Sequence, residues 1–144
     1  MDFRIRMRNE LAFPGGEFMQ IYPGKYSGKH WQDGSLFVFD LAFTLAEGII
    51  TEHYKEYDHY DWNDIPIDVG KRITSELRDA STKLKSLSIE HARAELKLPP
   101  DSYGRLVDKF LDSYRTEIVE MLRELSDRIN EFYDQEEWVC IFGV

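Results

Sequence analysis

Four histidines, His30, His53, His59 and His91, and one cysteine, Cys140, are the residues of this 144-residue chain best suited to proton transfer, nucleophilic attack or metal ligation. One segment sets a histidine at a familiar distance from a carboxylate: Glu56-Tyr57-Asp58-His59 has the Glu-x-x-His spacing that di-iron bundles place on helices. Such a centre needs a second Glu-x-x-His pair and two more glutamates, and no second pair occurs. Asp58, His59, Asp61 and Asp64 are close enough in sequence to surround a divalent ion, but short acidic loops match that pattern without specificity. Cys140 lies in the apolar run Trp138 to Phe142 with no histidine nearby, which predicts a buried, inert thiol. The chain lacks a Walker loop and the G-x-G-x-x-G, G-x-S-x-G and H-E-x-x-H motifs. The expectation is a protein that is not an enzyme and carries no cofactor and no metal. The competing reading is an enzyme or metal-binding protein built on His53, Glu56 and His59.

The same segment has a second kind of chemistry. From Tyr54 to Trp62, the aromatic residues Tyr54, Tyr57, Tyr60 and Trp62 alternate with Glu56, Asp58 and Asp61. Tyrosine and tryptophan offer large contact areas at little rotamer cost and dominate binding hot spots. Carboxylates beside them pair with lysine or arginine and speed encounter with a basic partner. The candidate binding residues are Glu56, Asp58, Tyr60, Asp61, Trp62 and Asp64. Charge along the chain agrees with this choice. Of the net −9, residues 35–68 carry −7 (one basic against eight acidic) and residues 101–144 carry −6 (five against eleven), partly offset elsewhere. Fields of that sign repel nucleic acid and attract cationic protein surfaces.

The length and a 42% hydrophobic content predict one domain, residues 1–144, with a single core. The longest apolar stretch, Leu36 to Ile50, contains Asp40 and Glu47 and is too short to cross a bilayer, and the first residues lack the apolar segment of a secretory signal. No membrane association and a cytoplasmic location are expected.

The elements that must position the loop follow from periodicity. Phe3, Ile5 and Met7 alternate with Arg4, Arg6 and Arg8, and predict a first strand with a cationic outer row. Turn chemistry at Phe13-Pro14-Gly15-Gly16 leads to a second strand, Phe18 to Tyr22, and so to a hairpin. After the polar stretch 25–34, Leu36 to Phe39 is the third strand, with Asp40 as N-cap of an apolar helix from Leu41. Residues 58–64 read as loop. Val69, Ile73, Leu77, Ala80 and Leu84 mark a second helix, and Ser88 to Leu96 a short third one, stopped by Pro99-Pro100. Ser102 to Tyr133 reads as one long amphipathic helix, either spanning the core or forming a homodimer interface. Trp138 to Phe142, apolar on both faces, predicts an interior strand that closes the sheet, beside the first strand in one of the orders left open. The fold class is α+β: a small antiparallel sheet on three to four helices.

In this layout the chain resembles the immunity proteins of bacterial polymorphic-toxin and contact-dependent growth inhibition systems. The resemblance lies in the short strand Leu36 to Phe39, the capped apolar helix Leu41 to Tyr57, the aromatic acidic loop Tyr57 to Pro66, and a helix beginning near Asp68. It implies a small cytoplasmic protein that binds and blocks the toxic domain of a cognate toxin, often a nuclease with a basic cleft. The family defines no motif by which functional residues transfer.

Overall fold

The computed structural model describes residues 1–12, 16–99 and 105–144. The Phe13-Pro14-Gly15 turn, Pro100 and the expected helix start at Ser102 to Gly104 lie outside the described residues.

Among the described residues, five strands form one antiparallel sheet in the order β1-β3-β2-β5-β4, with β1 Arg6–Met7, β2 Phe18–Pro23, β3 Leu36–Phe39, β4 Asn63–Pro66 and β5 Trp138–Gly143. The helices are α1 Asp40–His53, α2 Ile67–Lys83, α3 Ile89–Glu95, α4 Arg105–Ser113 and α5 Arg115–Tyr133. The α+β class is as expected, and so is the interior position of β5, which pairs with β2 on one side and β4 on the other. Ser88 caps α3 by accepting the His91 backbone N–H at 3.2 Å.

The N-terminal hairpin is not formed. β3 is wholly buried at Leu36, Phe37 and Val38, so it needs partners on both edges. β2 takes one edge (Ile21 opposite Leu36) and β1 the other (Arg6 opposite Phe37), so the strand pair joined directly in sequence is β2–β3. The first strand is also cut short, because Phe3 leaves the period-2 pattern to pack edge-on against Phe110, with ring centroids 5.6 Å apart, and beside Tyr114.

The C-terminal helix is two helices. At Tyr114 the backbone departs to φ −128°, ψ 29°, with its N–H bonded to Phe110 O and its carbonyl accepting from Ile118 N. No proline or glycine causes this break. It is held by the ring cluster of Phe3, Phe110 and Tyr114 and by Arg115, whose guanidinium donates to the carbonyls of Leu111, Leu84 and Leu87. The apolar face of α5, including Ile118, Met121, Leu122, Leu125 and Ile129, is buried in the core.

The two sheet faces differ. Met19, Ile21, Leu36, Val38, Ile65, Val139 and Ile141 join the core shared with the helices. On the other face, the segment 24–34, read as merely polar from sequence, lies across Phe18, Gln20, Phe37 and Phe142. Trp31 stacks on Phe37 (5.3 Å, 12°), and its backbone N–H reaches Gln20 Oε1 at 2.9 Å. Those contacts hold Trp31 at φ 57°, a conformation an L-residue rarely adopts.

Among helices, α2 and α5 are tied by Ser126 Oγ donating to Thr74 O and by Thr74 Oγ1 donating to Asn130 Oδ1, both at 2.8 Å. Among the described residues, no helix is long and apolar enough to cross a membrane.

Candidate functional site

Helix α1 ends at His53 and β4 begins at Asn63, so the acidic aromatic segment is a loop, residues 54–62, bridging the end of a helix and an edge strand. β4 itself was not expected. Residues 63–66 have little strand propensity and pair because β5 leaves an open edge beside them.

Asn63, 3% exposed, organises the turn. Its Oδ1 accepts the Asp58 N–H at 2.8 Å, and its Nδ2 donates to the carbonyls of Asp58, Asp61 and Ile141 at 2.8, 3.1 and 3.0 Å. Both N–H groups of that amide and one lone pair of its oxygen are directed into the loop and the neighbouring strand. Asp58 closes a local turn by accepting the backbone N–H of Tyr60, and Asp61 Oδ1 accepts that of its neighbour Trp62, each at 2.8 Å.

This frame sends side chains in two directions. Outward go Glu56, Asp58 and Asp61, with Tyr60 92% exposed and Trp62 54% exposed. Trp62 rests one indole face on Tyr26, stacked at 4.8 Å and 7°, and Tyr26 in turn meets Phe142 edge-on at 5.3 Å. The Tyr26 hydroxyl is 3.1 Å from His30 Nε2. Asp64, the sixth sequence candidate, is half-buried and points elsewhere: its Oδ1 accepts the Tyr26 N–H at 2.8 Å, so it fixes the ring that supports Trp62. Tyr26 escaped the sequence reading. The only signal for it is that Tyr26, His30 and Trp31 put aromatic rings into a stretch punctuated by glycines.

Inward go Tyr57 and His59, and both meet one oxygen of helix α1. The Tyr57 hydroxyl donates to Glu47 Oε2 at 2.5 Å, and His59 Nδ1 lies 2.6 Å from the same atom. On its other side, His59 Nε2 is 2.7 Å from Asp40 Oδ1. Asp40 is therefore not the N-cap of α1. The cap position is Phe39, and the Asp40 backbone N–H continues the sheet ladder to Glu17 O at 2.8 Å, which frees its carboxylate for His59. Glu47 was detectable: it sits between Phe43 and Ile50 on the apolar face of α1, where a carboxylate needs a partner.

The electrostatics follow from burial and pairing. Burial raises the Glu47 pKa, opposed by the Tyr57 and His59 hydrogen bonds, while the nearby Asp40 charge adds to the rise. Burial alone would lower the His59 pKa, but the Glu47 hydrogen bond and charge, joined by those of Asp40, more than reverse it. Burial, then the Glu47 charge, raise the Tyr57 phenol far above its ordinary value, so it is a permanent donor. Cys140, fully buried on the second face of the sheet, is pushed up to about 12 by burial and by Asp64, as expected of an inert thiol.

Beside this cluster opens a cleft of about 370 Å³, walled by α1 (Thr44, Glu47, Thr51), by Tyr57 and His59, and by Leu98 across from them. Gly48 permits the close approach of α3's end that forms the far wall, since a Cβ there would come within 2.4 Å of Leu96 O.

His53, Glu56 and His59 are not brought to one point. His53 Nε2 faces Glu76 of α2 at 3.3 Å, His59 faces Asp40 and Glu47, and Glu56 is exposed. Among the described residues, no group of three histidine, cysteine or acidic side chains is placed to hold a metal ion.

Comparison with family models, with curated proteins and with solved structures returned no match to this chain.

Proposed function

We propose that this protein is an immunity-type inhibitor, acting in the cytoplasm, that binds and neutralises a cognate toxin domain with a basic surface. The supporting observation is the loop tip: Tyr60 at 92% and Trp62 at 54% exposure, on a loop with a hydrogen-bonded frame and flanked in sequence by the exposed acids Glu56, Asp58 and Asp61. Two large aromatic side chains exposed on a preorganised loop bind with little ordering cost. The flanking acids select a cationic partner and make association sensitive to salt. Asp64 contributes from beneath by fixing Tyr26. Toxin domains whose active-site clefts are basic, nucleases among them, supply that complementarity.

The test is calorimetric titration with a toxin domain, where a reading frame beside this gene encodes one, at low and at physiological salt. Replacing Asp58, Asp61 and Trp62 together by Ala is expected to weaken binding by about a hundredfold or more and to flatten the salt dependence. Unchanged affinity and an unchanged salt slope would overturn the reading.

A further inference from the structure

The first turns of α5 border a cavity whose charge is opposite to that of the chain as a whole. It measures about 360 Å³ and is lined by Lys85, Arg115, Thr116, Val119, Glu120 and Arg123. Three cations against one carboxylate leave the lining at +2, in a chain of net charge −9. Among the described residues, Lys85, Arg115 and Arg123 form no ion pair, with Glu120 or any other acid. Arg115 is fixed in place before any ligand arrives. Its Nε donates to Leu111 O at 2.9 Å, and its Nη1 donates to Leu84 O and Leu87 O at 2.5 and 2.7 Å. These carbonyls are neutral, so they hold the guanidinium without cancelling its charge. The N–H groups on Nη2 have no partner among the described residues. Arg115 also begins α5, and Tyr114 at the cap position supplies no side-chain acceptor, so the first-turn N–H groups add a partial positive charge at the same end. Glu117, the acid of that turn, lines a different groove beside Met1 and Phe3.

We propose that this cavity binds the phosphoryl group of a small anion, inorganic phosphate or a metabolite-sized phosphate ester, through Lys85, Arg115 and Arg123. Charge selects the class. A phosphate monoester carries about −1.5 to −2 near neutral pH and matches a lining of +2, whereas a single carboxylate would leave the site cationic. The donor types agree: two guanidinium forks and one ammonium serve the several oxygens of a phosphoryl group, and the Thr116 hydroxyl adds a neutral donor. The volume is at the lower end of the roughly 300–1,000 Å³ common for small-molecule sites, which suits a compact ligand. Glu120 is the opposing group, and it limits affinity for any anion. None of the lining residues belongs to the loop 54–62, so this site is separate from the surface proposed to meet the toxin.

The probes are inorganic phosphate and glycerol 3-phosphate, titrated separately into the isotopically labelled full chain at low salt and slightly above neutral pH, and followed by amide chemical shifts. Glycerol, and sodium chloride at matched ionic strength, are the controls. The expected result is saturable shifts at Lys85, Thr116 and Val119 with the phosphorylated probes and none with either control. Tighter binding of the ester identifies a phosphorylated organic ligand, and tighter binding of phosphate identifies the free oxyanion; both support the phosphoryl site. Lys85→Met and Arg123→Gln alter side chains that make no hydrogen bond or ion pair among the described residues. Each should weaken the probe by about tenfold, the loss of one charge-assisted hydrogen bond. Glu120→Gln removes the opposing charge and should tighten binding by about threefold. Arg115 is left unaltered, because its removal would release three carbonyls. Shifts that do not saturate, that sodium chloride reproduces, or that persist undiminished in both Lys85→Met and Arg123→Gln would overturn the proposal.

Discussion

The imidazole of His59 reaches back from the loop to Glu47, 2.6 Å away on helix α1, and so couples the path of an exposed loop to one ionisable pair. The fold binds protons at this point more tightly than the unfolded chain does. His59 has a raised pKa relative to 6.5, and Glu47 a raised pKa relative to 4.5. In both cases the native state holds more protons than the unfolded state, so stability falls as pH rises through each window.

For His59 the contribution is fully present below pH 6.5 and is lost as pH climbs through the raised folded value. Urea unfolding of the unaltered chain and of His59→Gln across neutral to alkaline pH isolates it. The stability difference between the two is expected to be largest at the acidic end of that range and to shrink steadily toward the alkaline end. A difference that stayed constant with pH would mean that His59 is neutral in the fold.

The tip residues separate binding from stability. Tyr60 is 92% exposed, so Tyr60→Ala should change unfolding free energy by no more than about 0.5 kcal/mol. Trp62 has one indole face on Tyr26, and Trp62→Ala should cost about 0.5–1.5 kcal/mol, the range for a stacked aromatic pair. Thermal or urea melts give both numbers. A loss well above these would show the tip to be structural and would leave the proposed contact surface without its two main residues.

Much of this architecture was legible from local pattern. β5 declares itself by being apolar on both faces, α3 by the helical stretch from Ser88 to Leu96 ahead of Pro99-Pro100, and the exposed character of Tyr60 and Trp62 by the acids between them. What escaped was decided by tertiary contacts. Only Ile65 in Asn63-Asp64-Ile65-Pro66 favours a strand, yet the open edge of β5 makes the segment one, and Pro66 is tolerated because β4 is itself an edge. Likewise Tyr114 has no local reason to break a helix, and the ring of Phe3, more than a hundred residues earlier, helps to hold the break. The loop sequence announced its aromatic surface, but the partners of His59 lie in α1, and only the misplaced charge of Glu47 among apolar neighbours hinted at them.

Asn63 is the residue on which the loop path depends. Its amide makes four hydrogen bonds within the loop and to Ile141 O, from a site 3% exposed. Asn63→Ala should cost about 2–3 kcal/mol, because carbonyls at the turn lose their donor while still partly buried. Hydrogen exchange is expected to accelerate first at Asp58 and Asp61, whose amides belong to the turn that Asn63 holds. Should exchange rise uniformly along the chain instead, Asn63 would be supporting the sheet as a whole and not the loop.

Gly70, in the first turns of α2, sits against Tyr133 at the end of α5, and their contact fixes the edge on which the loop lands. A Cβ at position 70 would come within 2.0 Å of the Tyr133 hydroxyl and 2.2 Å of its ring carbon Cζ. That hydroxyl donates to Ile65 O at 2.9 Å and so caps a carbonyl of β4, the strand that follows the loop. Alanine is intrinsically the better helix former by about 1 kcal/mol, and on propensity alone Gly70→Ala should stabilise. The approach distance reverses the sign. The ring is buried and cannot retreat without breaking the bond to β4, so the substitution is expected to destabilise by at least about 2 kcal/mol net. Tyr133→Phe should cost about 1 kcal/mol for the lost hydrogen bond, and it should not rescue Gly70→Ala, because the ring carbon is still in the way. A stabilised Gly70→Ala protein would mean that Tyr133 does not pack under α2, and the anchoring of β4 beneath the loop would have to come from elsewhere.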